Sequence, residues 1–355
     1  MTLDSLRSHD PSDMYSAILN FPRFAREGVE IGRNSPSLSK GKARRIVVLG
    51  MGGSAIGGDL LRSYIQSFPE AGGVDIHVSR GYVPPQVDAK TTVVASSYSG
   101  NTEETLAAYD VTRGAGQTLV VTTGGRLNEL ADENRDKKIL LPGGLQPRAA
   151  LAYSFFPLLY NLAVRSELFG AEVREETERG IDEAIALLEK LTKKYSAGPA
   201  GSNPAFALAE KINGNVPVIY SASDRLDTVN LRWRGQIQEN AKHLAFGNLL
   251  PEMNHNEING WQHPEEMVGK FFAIFLRDRD DHPRVAARID ITRRIIAKSA
   301  SGTQEIRSQG ESLLARIFSL ICLGDWTSYY LATLNGVDPM PVPVIENLKK
   351  QLAKK

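Results

Sequence analysis

The sequence predicts an α/β protein made of two doubly wound, parallel-sheet halves joined by a helical connector. Three observations predict this. Short runs of Val, Ile and Leu recur between helical stretches, one charged amphipathic segment divides two such series, and a Gly/Pro/Ser-rich segment follows it. Continuous apolar runs mark strands buried on both faces, and strands alternating with helices require a parallel sheet with right-handed crossovers.

In chain order, the first series of strands is RRIVVLG (Arg44 to Gly50), VDIHVS (Val74 to Ser79), TTVVASS (Thr91 to Ser97), TLVVTT (Thr118 to Thr123) and KKILL (Lys137 to Leu141). The pattern from Ala149 to Lys194 is helical, with Ile181, Ala184, Ile185 and Leu188 at helical spacing. SAGPAGSNPA (Ser196 to Ala205) reads as a loop or boundary. A second series opens with AFALAEKI as helix and VPVIYSA (Val216 to Ala222) as strand, followed by strand candidates HLAFGNLLPE and FFAIFLRD (Phe271 to Asp278). Helical segments close the chain around Ile289 to Ala297, Leu313 to Leu334 and Pro343 to Lys354. The expected division is 1–153, a connector over 154–200, and 201–355.

Of the 355 residues, 42% are hydrophobic and 23% charged, enough apolar material for two domains. The net charge of +1 leaves no global field for nucleic acid or an anionic membrane, so neither is expected as a partner. Anion recognition must therefore be local. The single cysteine, Cys322, permits no internal disulfide, which suits a reducing, cytoplasmic setting. MTLDSLRSHD has no apolar leader core, and the uncharged run Ala149 to Val164 is shorter than the ~20 residues of a membrane span.

Two loops stand at the carboxyl ends of predicted strands, where ligands of open α/β sheets bind. In GMGGSAIGGDL, Gly50, Gly52 and Ala55 fit a Gly-x-Gly-x-x-Ala dinucleotide spacing. The following strand ends in Ser79 and Arg80 rather than the acidic residue a nicotinamide site uses, although an arginine suits NADP. In SSYSGNTEET, Ser96, Ser97, Ser99, Asn101 and Thr102 surround Gly100 and lead into a helix. Hydroxyls, free amides and a helix N-terminus together fit one phosphomonoester dianion. The same residues also fit a plain helix cap.

GMGGSAIGGD followed by SYSGNTEET resembles the sugar isomerase (SIS) domain, a doubly wound fold that binds phosphosugars through Ser and Thr side chains. QIQENAKHLAF, NHNEINGW and LGDWTSYYLATLNGVDPMPVPVIENLKK narrow the resemblance to the bifunctional phosphoglucose/phosphomannose isomerases. It spans about Arg44 to Lys350. The resemblance implies two SIS-type domains and interconversion of glucose 6-phosphate and mannose 6-phosphate with fructose 6-phosphate through an enediolate, with no cofactor and no metal.

By the same resemblance, Ser54, Ser97, Ser99 and Thr102 hold the phosphate, helped by the amides of Gly52, Gly53 and Gly100. Glu239 is the base, because a carboxylate can take and return a proton within one turnover. His255 opens the sugar ring, with Asn254, Asn256 and Glu257 available to orient it. Arg148 steadies the enediolate, and Lys349 reaches the site from the last helix, with Lys350 adjacent to it. A homodimer with shared sites is implied, His255 coming from the neighbouring copy. Family members often carry a threonine before the final helix, where this chain has Met340, so the extra bulk bears on mannose activity more than on glucose activity.

Three other readings compete. A metal-dependent isomerase would use Glu239 and His243 at i, i+4, with no close third ligand in sequence. A phosphosugar-sensing regulator would keep the phosphate loops without needing Glu239, His255 and Arg148. A dinucleotide enzyme would use the Gly-rich loop alone.

Overall fold

The computed structural model describes residues 2–38, 43–69, 71, 73–166, 168–199 and 202–354. Its first sheet contains β1 (Arg45–Leu49), β2 (Asp75–Ser79), β3 (Thr91–Ser96), β4 (Gln117–Thr122) and β5 (Lys137–Leu140) in the order β2-β1-β3-β4-β5. Every pairing is parallel. The second contains β6 (Val216–Ala222), β7 (Phe246–Leu250), β8 (Phe271–Arg277) and β9 (Gly302–Arg307) in the order β7-β6-β8-β9, again parallel throughout. The second sheet thus repeats the strand order of the first four strands of the first.

Ile46 to Leu49 and the whole of β3 are buried, as unbroken apolar runs require when helices cover both faces. In each sheet the winding reverses beside the central strand, between β1 and β3 and between β6 and β8. The GMGGS and SYSGNT loops flank the first of these switch points.

The eight strands expected from the sequence are present, with ends shifted by a residue or two; HLAFGNLLPE yields a strand only over Phe246–Leu250. β9 was not expected. It is an edge strand whose one buried residue is Ile306, so it lacks the apolar run that marks a central strand. Three helices before β1 (Leu3–Arg7, Met14–Leu19 and Phe21–Asn34) were also not foreseen. The third buries Phe21, Phe24, Ala25 and Val29, at helical spacing.

The Ala171–Tyr195 helix buries Ile181, Ala184, Ile185 and Leu188. It packs along the Leu313–Leu334 helix, which is buried from Leu314 to Thr333 and also lies against the Asp227–Ala241 helix. The connector is therefore part of one core rather than a solvated bridge. The expected boundary at Ala200 and Gly201 lies outside the described residues.

The helix that starts the Gly-rich loop is fastened to the helix that carries Glu239. Arg62 pairs with Asp227, and Ser63 Oγ donates to Asp227 Oδ1 at 2.8 Å and lies 2.9 Å from Thr228 Oγ1. These contacts fix the first half against the helix of the second half that carries Glu239.

Candidate active site

After β1 the chain enters the Gly52–Ile65 helix, whose first turn has no side-chain cap, so its leading amides are open to an anion. Ser54 Oγ accepts from the Tyr98 amide at 3.1 Å, tying this loop to the one after β3. In that second loop Ser97 Oγ lies 2.9 Å from Thr102 Oγ1 and accepts from the Gly100 amide, while Ser99 Oγ accepts from the Asn101 amide and is exposed.

Thr102 is the N-cap of the Glu103–Val111 helix, yet its hydroxyl makes no cap bond. The plain capping explanation therefore does not account for the side chain. Gly100 has φ of +70°, and a Cβ there would overlap the Gly124 carbonyl, so this turn admits only glycine.

Gly53 brings the first loop against the segment after β5. A Cβ at Gly53 would meet the Pro147 carbonyl oxygen at 2.6 Å, so its absence lets the loop lie next to Arg148. Arg148 is 4% exposed. Its Nε donates to Asn240 Oδ1 at 2.6 Å, its Nη2 to the carbonyls of Pro339 and Met340 at 2.6 Å each, and its Nη1 to Glu239 Oε2 at 3.3 Å. Burial pulls the guanidinium below its ordinary value, and the Glu239 carboxylate pushes it back up. The Glu239 side chain is 35% exposed, so one face remains open.

Arg148 and Glu239 share a cavity of about 140 Å³ with Gly52, Gly53, Arg80, Arg232 and Gln236. First-half loops and the second-half helix thus meet around one space that holds a fixed cation and a carboxylate. Such a space can steady negative charge on adjacent sugar oxygens while a proton moves at carbon.

Not every expected residue gathers there. His255, in the segment after β7, is exposed and does not line this cavity. Its neighbours do not orient it: Asn254 donates to Thr292, Asn256 to Glu252, and Glu257 accepts from Tyr220 and Asn248. Lys349 and Lys350 lie on the Pro343–Leu352 helix, which has no buried residue. The Asp227–Ala241 helix buries Ile237 and Ala241, but it stops before Leu244, which is exposed. The chain turns at Lys242, with φ of +50°, so Glu239 and His243 do not share a helix face. His243 instead contacts the Asn215 carbonyl and the Asn335 amide. Among the described residues no group of three or more His, Cys, Asp or Glu is placed to hold a metal ion.

Several residues around the cavity were missed. Arg232 and Gln236 stand seven and three residues before Glu239 on the same helix, a spacing that was legible in the sequence. Arg232 and Gln236 both donate to Asp325, a buried acid in the Leu313–Leu334 helix, and Arg232 also donates to the Arg148 carbonyl. Arg80 pairs with the buried Asp59 at the cavity wall. Lys242 donates to the carbonyls of Asp338, at 2.6 Å, and Pro339, at 3.0 Å, securing the segment that also holds Arg148. Burial, aided by the nearby Arg148 charge, brings the Lys242 amine down to about 8.

The two parallel sheets define a double SIS-type protein, with the candidate site between the halves. Consistent with this, the model of the bacterial phospho-glucose isomerase C-terminal SIS domain matches residues 201–352. A bifunctional phosphoglucose/phosphomannose isomerase of Caldicellulosiruptor bescii is 43% identical over 344 residues, covering 96% of this chain and 99% of that protein. One from Aquifex aeolicus is 36% identical, covering 87% and 90%. A solved hypothetical protein from Thermus thermophilus shares the fold with a TM-score of 0.68 at 18% identity, covering 99% of this chain and 93% of that one. The chain belongs to the bifunctional phosphoglucose/phosphomannose isomerase family. Among the described residues no helix is long and apolar enough to cross a membrane.

Proposed function

We propose that this protein interconverts glucose 6-phosphate and mannose 6-phosphate with fructose 6-phosphate by a cofactor-independent proton transfer. The observation that carries the reading is the buried Arg148 guanidinium 3.3 Å from the Glu239 carboxylate, beside the Gly52–Gly53 loop. In this reading Ser54, Ser97, Ser99, Thr102 and the amide of Gly53 grip the phosphate. Glu239 removes the C2 proton of the open-chain aldose and returns it to C1, the electron pair passes through an enediolate, and the proton of the C2 hydroxyl passes to the C1 oxygen as the carbonyl moves from C1 to C2. Arg148, always charged, holds the developing negative charge on the two sugar oxygens. Its contacts to Asn240, Pro339 and Met340 fix it in place before substrate arrives.

His255 opens the ring. Its exposed position, away from its own chain's cavity, is what a homodimer with shared sites requires, the histidine coming from the second copy. Lys349 approaches from the terminal helix, which directly follows the Pro339–Met340 segment. The division into 1–153, 154–200 and 201–355 belongs to the same reading, as does a cytoplasmic setting, which the single, disulfide-free Cys322 supports.

The test is a coupled assay for fructose 6-phosphate formed from glucose 6-phosphate and, separately, from mannose 6-phosphate, with and without a chelator. Turnover of both, unchanged by the chelator, is expected. Tight NADP binding with no turnover of either sugar, or loss of activity on chelation, contradicts the reading.

A further inference from the structure

A second cavity, of about 440 Å³, opens at the β7 edge of the second sheet. Its wall is mostly apolar: Val218 of β6, Phe246 of β7, Phe271 of β8, and Trp261 from the segment after β7. The indole is held by a chain of contacts. Trp261 Nε1 donates to the Tyr220 hydroxyl at 3.0 Å, and Tyr220 donates in turn to Glu257, which also takes the Asn248 amide at 2.7 Å. The one carboxylate in the wall is therefore already committed to two donors of its own chain.

Into this mostly apolar space come the Arg234 guanidinium and the His263 imidazole. Arg234 lies on the Asp227–Ala241 helix, on the other face of the sheet from Val218 and Trp261, and reaches the cavity past Gly247. A Cβ at Gly247 would overlap the Ile219 carbonyl oxygen and meet Asn230 Oδ1 at 2.9 Å and Arg234 Cδ at 3.0 Å, so the arginine stem runs close over the edge strand at this glycine. Arg234 Nε is buried without a partner, and no hydrogen bond or ion pair joins Arg234 to any described residue. Burial pulls its charge below the ordinary arginine value. A half-buried guanidinium whose Nε has no partner, in a mostly apolar cavity of small-molecule size, is complementary to an anionic group on a flat apolar body.

We propose that this cavity binds a small aromatic carboxylate or sulfonate, its ring against Trp261 and Phe271 and its anionic group on Arg234. The site is distinct from the isomerase cavity: the two share no lining residue, although both touch the Asp227–Ala241 helix. A hexose phosphate does not match it, because the wall offers a sugar few hydroxyl partners.

The test titrates 2-naphthoate and its neutral analogue 2-naphthamide into the full-length protein, following tryptophan emission. Trp233 and Trp326 are fully buried, which leaves Trp261 as the reporter, and Trp261→Phe should abolish the signal. The expected result is saturable binding of naphthoate at one site per chain, with naphthamide at least tenfold weaker. Arg234→Met should weaken naphthoate at least tenfold while keeping normal isomerase turnover as its check on folding. Gly260 borders the cavity, and a Cβ there meets nothing within 4 Å, so Gly260→Phe is a second variant expected to block binding without disturbing the core or adding a second reporter. Saturating glucose 6-phosphate should leave naphthoate bound. Equal affinity for the two probes, unchanged affinity in both variants, displacement by glucose 6-phosphate, or no saturable binding because a second copy covers the opening would each overturn the proposal.

Discussion

Replacing Arg148 with lysine keeps a positive charge but removes the planar fork that serves several partners at once. In the structure that fork spans the Asn240 side chain, the Pro339 and Met340 carbonyls and the Glu239 carboxylate. A single ammonium cannot reach all of these and also a sugar oxygen. One or two buried acceptors then lose their donor, at about 1–3 kcal/mol each, so the folded state should weaken by roughly 2–4 kcal/mol. The reaction loses more in relative terms. Removing one preorganised donor from a developing oxyanion costs about 2.7–4 kcal/mol, or roughly 10²–10³ in kcat. The phosphate anchors stand on other elements, so KM for glucose 6-phosphate should stay within a few-fold, near threefold at most on the scale of ~0.6 kcal/mol. Steady-state kinetics with denaturant unfolding of the same preparation measures both. A kcat within tenfold of wild type, or a raised KM at unchanged kcat, would refute the role assigned to Arg148.

Ser97→Ala combined with Thr102→Ala should raise KM for both hexose phosphates tenfold or more, since a hydrogen bond to a charged group contributes ~1.5–3 kcal/mol, with kcat little changed; unchanged saturation curves would count against the cradle. The Met340 carbonyl, not its side chain, holds Arg148, so Met340→Thr should leave glucose 6-phosphate turnover near wild type. It should raise mannose 6-phosphate kcat/KM by roughly tenfold, the scale of a small steric change in a pocket, and equal effects on the two sugars would contradict the steric argument. Lys242 gives a pH signature. The folded protein sheds this proton near pH 8 and the unfolded chain near 10.5, so between those values the unfolded state holds more protons and stability attributable to Lys242 rises with pH. The melting temperature of wild type relative to Lys242→Met should therefore climb between about pH 8 and 10, and a difference that does not vary with pH would exclude the shift.

Much of the fold was legible because burial on both faces writes an unbroken apolar run into β1, β3, β4, β6 and β8. β9 was not, because an edge strand with one buried residue has no such run. The two loops proposed to hold phosphate were legible as local sequence, being Gly- and Ser-rich turns between a strand and a helix. The Arg148–Glu239 pair was not, since the two are 91 residues apart and only the packing of the halves joins them. Each was assigned through family resemblance rather than by its own surroundings. Asp325 and Arg232 show the same limit: a buried ion pair leaves single charges in otherwise ordinary helices, and the sequence does not say which acid meets which base.

The most direct test of the account is turnover of glucose 6-phosphate by Glu239→Gln in D2O, followed by NMR. Glutamine keeps the shape and the neighbours of Glu239 but cannot take a proton from carbon. The account predicts that wild type places solvent deuterium at sugar C1 and C2 as it isomerises, whereas the variant binds fructose 6-phosphate normally and loses exchange and isomerisation together, by about 10²–10⁴-fold. A variant that still isomerises at a tenth of the wild-type rate or more would contradict it.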